Sequence, residues 1–124
     1  MQTILVTGGA KRIGKTIIEL FAKKNWKVII HYNKSKLDAE ELAEEINSKN
    51  SNSAFIVGGN LDNAEDVQSI ISSVNNISET LDLLVNNAST FYPTPIEDVS
   101  EDHSHSRPAF LYQKLLDQDF YFQD

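Results

Sequence analysis

Apolar positions along the first part of the chain alternate between two periods. Thr3-Ile4-Leu5-Val6-Thr7 is an unbroken β-rich run that stops at Gly8-Gly9. From Ile13 the spacing widens. Ile13, Ile17, Leu20 and Phe21 stand at i, i+4, i+7 and i+8, one face of a helix that Asn25 ends. Lys27 to Tyr32 is a second strand, and Leu37 to Lys49 a second helix with Ala39, Leu42, Ala43 and Ile46 as its apolar stripe. Glu40, Glu41, Glu44 and Glu45 form the wet face of that helix. Ala54 to Val57 is a third strand. Val67, Ile70, Ile71, Val74 and Ile77 mark a third helix, and Leu81 to Val85 a fourth strand. Asp62 is placed to cap the third helix.

The strands are continuous apolar runs, as expected where both faces of a sheet are covered. Strand–helix alternation with short turns predicts βαβ units, a parallel sheet and an α/β fold. A complete doubly wound sheet has six strands, and this chain has room for roughly four. The pattern stops near residue 100. Ser100 to Pro108 is polar and aperiodic, and Phe110, Tyr112, Phe120, Tyr121 and Phe122 crowd the end of the chain. The expected organisation is therefore a half-domain over residues 1–99 and an irregular tail over 100–124.

Composition narrows the chemistry. The net charge of −7 in 124 residues argues against nucleic acid or an anionic membrane as a partner. There is no cysteine, so neither disulfides nor thiolate chemistry enter. No apolar run approaches a membrane span, and the N-terminus lacks the basic region of a signal peptide. A cytoplasmic location is the expectation. His103 and His105 stand at i, i+2, which is not one helix face, and no third ligand is near, so no metal site is expected.

The candidate chemistry sits in the first turn. Thr7-Gly8-Gly9-Ala10-Lys11-Arg12-Ile13-Gly14 joins a strand to a helix. Glycines allow a sharp turn and a close approach, and the first helical N–H groups face a bound anion with the positive end of the helix dipole. A plain glycine-rich turn is the alternative reading. Nineteen residues after Gly14, where a carboxylate would accept a ribose 2′-OH, stand Asn33, Lys34 and Ser35. An amide, a cation and a hydroxyl suit a 2′-phosphate instead, although an ordinary polar turn would look alike. His31, alone at a strand end, is read as structural.

The segment Thr7 to Gly14 resembles the cofactor motif Thr-Gly-x-x-x-(Ala/Gly/Arg)-(Ile/Leu)-Gly of the short-chain dehydrogenase/reductase family. Its Ala-Lys-Arg-Ile centre is similar to that of pteridine reductases. The resemblance runs from residue 1 to about 99. It implies a truncated Rossmann-type three-layer fold and NADPH as cofactor, bound by Gly8, Lys11, Arg12, Ile13, Gly14, Asn33, Lys34 and Ser35. Lys34 stands where those reductases have arginine. Asn60 and Leu61 match the family's adenine-edge pair, with Asn60 in place of the more frequent aspartate. Val85-Asn86-Asn87-Ala88 matches Asn-Asn-Ala-Gly, with Ser89 for glycine, and adds Asn87, Ala88 and Ser89 to the cofactor set.

Ser89-Thr90-Phe91-Tyr92-Pro93-Thr94-Pro95 is similar to the pteridine reductase substrate wall. The resemblance implies that Arg12, Ser89 and Phe91 meet a pterin-like small molecule, Phe91 by stacking. Phe91 packed under its own loop is the alternative. Complete members are expected to be homo-oligomers. The family's catalytic Tyr-x-x-x-Lys on a helix is not found, since Tyr32 and Lys36 lie in the cofactor loop and Leu116 follows Tyr112 at that spacing. No catalytic residue is assigned. Two other readings stand beside the first: a short-chain reductase of 3-oxoacyl thioesters, and a non-catalytic NADPH-binding fragment.

Overall fold

The computed structural model describes residues 1–87. Seven elements follow in order: β1 (Thr3–Val6), α1 (Arg12–Lys23), β2 (Lys27–Tyr32), α2 (Lys36–Lys49), β3 (Ala54–Gly58), α3 (Ala64–Ile77) and β4 (Leu83–Val85). The strands form one parallel sheet in the order β3-β2-β1-β4. This is the parallel α/β architecture that the alternating pattern predicts, in the Rossmann-type form that the resemblance implies.

Residue parity along the strands divides the core. Ile4, Val6, Val28 and Ile30 point to the layer that holds Ile18 of α1 and Ala39, Leu42, Ala43 and Ile46 of α2. Leu5, Ile29 and Val57 point to the other layer, against Val67, Ile70, Ile71 and Val74 of α3. Both faces of β1 and β2 are thus dry at their centres, which is why Ile4-Leu5-Val6 and Val28-Ile29-Ile30 are unbroken apolar runs. The stripes expected on α2 and α3 are the buried ones.

The expected face of α1 is buried only in part: Ile17 and Phe21 pack against the core, half-buried. Ile13 is 70% exposed and Leu20 51% exposed, whereas Gly14 and Ile18 are buried. The period is helical, but the helix is rotated so that Gly14 meets the turn before it. Asn25 does end α1, with φ of 65°. The Trp26 amide donates to Phe21 O (3.1 Å) and the Asn25 amide to Ala22 O (3.0 Å). The Phe21 and Trp26 rings meet edge to face at 4.8 Å, completing a Schellman cap with its hydrophobic contact.

A second expectation also needs correction. Asn63, not Asp62, caps α3, its side chain accepting from the Asp66 amide at 3.0 Å. Helix α3 begins one residue later than expected, and either side chain can do this work. The fourth strand is shorter than expected. Leu81 and Asp82 precede it, buried, and Asp82 ties to β1 through both its backbone and its carboxylate.

Candidate functional site

The chain reverses winding direction between β1 and β4. From β1 the strands proceed outward through β2 to β3, and β4 then pairs on the other side of β1. The crevice beyond the carboxyl ends of two such strands is where open α/β sheets bind ligands. The glycine turn Thr7–Gly14 and the end of β4 at Asn87 flank this crevice.

Each glycine of the turn has a separate reason. Gly8 has φ of 63°, which a side chain rarely adopts. Gly14 is set by crowding: a Cβ there would stand 2.2 Å from Gly8 O and 2.6 Å from Asn87 Nδ2. Helix α1 therefore starts against the turn itself. Arg12 begins the helix at φ of 55°, a left-handed conformation in a residue with a side chain. Such outliers collect where a site fixes the backbone.

Asn87 stitches the two strand ends. Its amide N–H donates to Thr7 Oγ1 at 2.9 Å, and Nδ2 donates to Gly8 O at 3.1 Å. The Thr7 amide reaches Val85 O at 3.0 Å. On the opposite side His31 does the same for β1 and β3. The Gly8 amide donates to His31 Nδ1 at 3.0 Å, the Gly9 amide donates to His31 O at 2.9 Å, and His31 Nε2–H donates to Gly59 O at 2.8 Å. His31 is 1% exposed. Burial pushes its pKa below the ordinary histidine value, while the bond to Gly59 opposes that shift.

The donors left for an anion are those of the helix start. The Lys15 amide donates to Lys11 O at 3.2 Å, so intrahelical bonding begins there and the preceding amides have no acceptor within α1. Lys11, Arg12 and Ile13 stand exposed around them. Lys11 Nζ lies 3.4 Å from Asp38 Oδ2 of α2, an exposed pair that is weakly held. Asn33 and Lys34 are exposed, and Ser35 leads into α2 without using its hydroxyl as a cap. This donor set fits a pyrophosphate at α1 and a further anionic group near α2.

Asn60 lies at the end of β3 on the same edge. Its Oδ1 accepts the Asp62 amide at 2.9 Å, and its own amide donates to Asp66 Oδ2 at 2.8 Å. Leu61 is only 5% exposed and packs in the core beside α3. It supports this loop from beneath and offers little side chain to a ring. Ala88, Ser89 and Phe91 lie outside the described residues. Sequence reasoning missed His31 as a member of this site. A hollow of about 240 Å³ between α1 and α2, lined by Leu42, Ile46 and Asn50 among others, lies at the far ends of those helices. It has no part in the glycine turn.

The short chain dehydrogenase family model matches residues 2–107. The chain belongs to that family. Its members are oxidoreductases that use nicotinamide cofactors and act on small molecules. It is 36% identical over 110 residues to pteridine reductase 1 of Leishmania tarentolae, with 74% of this chain and 38% of that protein covered. It is 38% identical over 95 residues to the short-chain dehydrogenase/reductase homolog YusS of Bacillus subtilis, with 77% and 86% covered. It is 37% identical over 87 residues to 3-oxoacyl-(acyl-carrier-protein) reductase FabG of Staphylococcus aureus, with 70% and 35% covered. The chain thus spans little more than a third of the length of two of these relatives. Among the described residues, no helix is long and apolar enough to cross a membrane.

Proposed function

We propose that this chain is the NADPH-binding part of a short-chain oxidoreductase whose substrate is a pterin or dihydropterin. The observation that carries the cofactor reading is the junction of Gly8, Gly14 and Asn87. A helix start is pressed against a positive-φ glycine at the strand switch point, with cations exposed beside free helical amides. The residues have separate tasks. The amides of residues 10–14 would receive the pyrophosphate, with Lys11 and Arg12 adding charge and Ile13 an apolar contact. Asn33, Lys34 and Ser35 would hold the 2′-phosphate. Asn60 would donate or accept at the adenine edge, Leu61 fixing its loop. Asn87 would keep the crevice open between the strands, with Ala88 and Ser89 lining it. NADPH, when bound, supplies a hydride.

The choice of NADPH rests on charge. No carboxylate stands at residues 31–35, and Lys34 is exposed there. Titration of the chain with NADPH and NADH, followed by cofactor fluorescence, should show tighter NADPH binding. Equal curves would overturn this preference.

The pterin reading rests on the likeness to pteridine reductase 1 and on Ser89 to Pro95, where Arg12, Ser89 and Phe91 would form a wall. The similarity to FabG supports a second reading, a reductase of 3-oxoacyl thioesters. Competition by pterins against acyl thioesters for the NADPH-loaded protein separates the two. A cytoplasmic location goes with either. This chain by itself should bind cofactor without turnover, because it carries no Tyr-x-x-x-Lys outside the cofactor loop. NADPH oxidation that scales with the purified chain would show otherwise.

A further inference from the structure

The two glycine amides that open the phosphate turn are already spent within the protein, and both are spent on one residue. Gly8 N–H donates to the His31 ring and Gly9 N–H to the His31 carbonyl. The ring's other nitrogen is anchored 28 residues onward at Gly59 O. Three strand ends are thereby held through a single buried imidazole. Only one tautomer satisfies both contacts. Nδ1 must accept, so the proton sits on Nε2.

We propose that His31 is a positioning residue for the cofactor turn: its Nε2–H tautomer locks Gly8 and Gly9 so that the amides of Ala10 to Gly14 face the pyrophosphate. This rests on the cofactor reading above. A proton added at Nδ1 would point at the Gly8 N–H, two donors 3.0 Å apart, and the turn would have to move. The charged surroundings do not offset this from within the fold. Strands β1 and β3 bring no titratable group to the ring, and on β2 itself Lys27 is at the far end and Tyr32 turns to the other layer. On α3, Asp66 has its carboxylate already engaged with the Asn60 amide at 2.8 Å. Lys11 and Arg12 at the start of α1, and Lys34 in the loop after β2, are exposed cations. Bound phosphates would favour a positive ring by charge alone. The opposed donors weigh against it, and burial acts in the same direction.

The sign follows. A base whose pKa is lowered in the fold leaves stability and cofactor affinity intact above about pH 6.5, and both decline as pH falls through the lowered value. The test measures NADPH dissociation constants between about pH 7.5 and about pH 5 in the wild type, His31→Asn and His31→Leu. Asparagine places Oδ1 where Nδ1 stood and does not titrate. His31→Leu should bind about tenfold more weakly at neutral pH, the effect of one unsatisfied buried donor. His31→Asn should recover most of that. It should also lack the part of the acid decline that the 2′-phosphate's own titration does not explain. Superimposable pH profiles for wild type and His31→Asn, or wild-type affinity in a folded His31→Leu, would overturn the proposal.

A second measurement covers a leucine variant that does not fold, and a wild type that binds neither cofactor. In the ligand-free wild type, ¹⁵N spectra should show the Nε2–H tautomer, and the Gly8 amide should shift with the His31 titration. An Nδ1–H tautomer, or a Gly8 amide indifferent to His31, sinks the proposal. Failure of NADPH binding together with co-titration would sink the cofactor reading instead.

Discussion

The two ends of the sheet use the same device for different purposes. At the amino ends of the strands, polar side chains close the backbone. Asp82 Oδ2 accepts the Thr3 amide at 2.7 Å, and Asn47 Oδ1 accepts the amides of Ser53 (3.0 Å) and Ala54 (2.9 Å) while Nδ2 donates to Ala54 O. Lys27 Nζ caps α3 at Ile77 O. At the carboxyl ends His31, Thr7 and Asn87 brace the backbone just as fully, but what they brace is a helix start with its amides turned outward. One end is finished by its bonds. The other is shaped by them into what we propose is the cofactor receptor. Braced backbone is therefore a sign of function only where the groups it orients are left open.

The carboxyl end of the sheet is most vulnerable at Gly14. Gly14→Ala would place a Cβ 2.2 Å from Gly8 O, a backbone atom that cannot yield cheaply. Overpacking of this kind costs about 1–3 kcal/mol or more, and here it should also displace the turn. Thermal melts should show the loss, and NADPH titration of the folded fraction should show affinity reduced by more than about tenfold. A folded variant that binds normally would mean the turn is not the receptor.

Asp82→Ala probes the other end. It leaves the buried Thr3 amide without its side-chain acceptor and empties a site that is 7% exposed. The expected cost is about 2 kcal/mol. Cofactor affinity of the folded protein should not change. If affinity falls along with stability, the two ends are not separable and the distinction fails.

Much of this was legible in the sequence, and the misses have physical causes. Continuous apolar strands and the stripes of α2 and α3 follow directly from burial on two faces or on one. For α1 the spacing showed a helix and placed Ile17 and Phe21 on its packed side, but not Ile13 and Leu20, because the helix start is pressed inward at Gly14, which has no side chain to show in an apolar pattern. Asp62 and Asn63 are both competent caps, and local pattern does not choose between them. Gly8, Gly14 and Asn87 were legible as a motif. His31 was read as merely structural because its partners are 23 and 28 residues away. A histidine's spacing in sequence says nothing about which backbone groups will reach its two nitrogens.

Lys34→Glu sharpens the receptor end. A carboxylate where the 2′-phosphate is expected exchanges a charge-assisted contact for repulsion, worth about 1.5 kcal/mol or more in relative affinity. The order of NADPH and NADH should reverse, with stability unchanged because the side chain is exposed. Asp38→Asn should be milder. It frees Lys11 from an exposed pair worth at most about 1 kcal/mol, so NADPH should bind slightly more tightly at low salt.

A small effect on stability, with the most diagnostic effect on binding, is expected at Arg12. Its φ of 55° is a conformation that costs a residue with a Cβ about 1 kcal/mol and glycine almost nothing. Arg12→Gly relieves that strain. It also gives the unfolded chain more freedom, which costs about 0.4–1 kcal/mol in the other direction. The two nearly cancel, so the melting midpoint should barely move. Among the described residues the exposed guanidinium makes no hydrogen bond or ion pair; the bond at this position is from Thr16 Oγ1 to the main-chain carbonyl, which glycine would keep. Affinity should behave differently. If Arg12 stands beside the cofactor phosphates, its removal should weaken NADPH binding severalfold and flatten the salt dependence, since one cation fewer meets the anion. Arg12→Lys should restore charge without relieving strain, and so recover binding while leaving stability at the wild-type value. A drop in stability for Arg12→Gly would show that the backbone at residue 12 is not strained. Unchanged affinity and salt dependence would remove Arg12 from the receptor and leave the phosphates to the helix amides and Lys11.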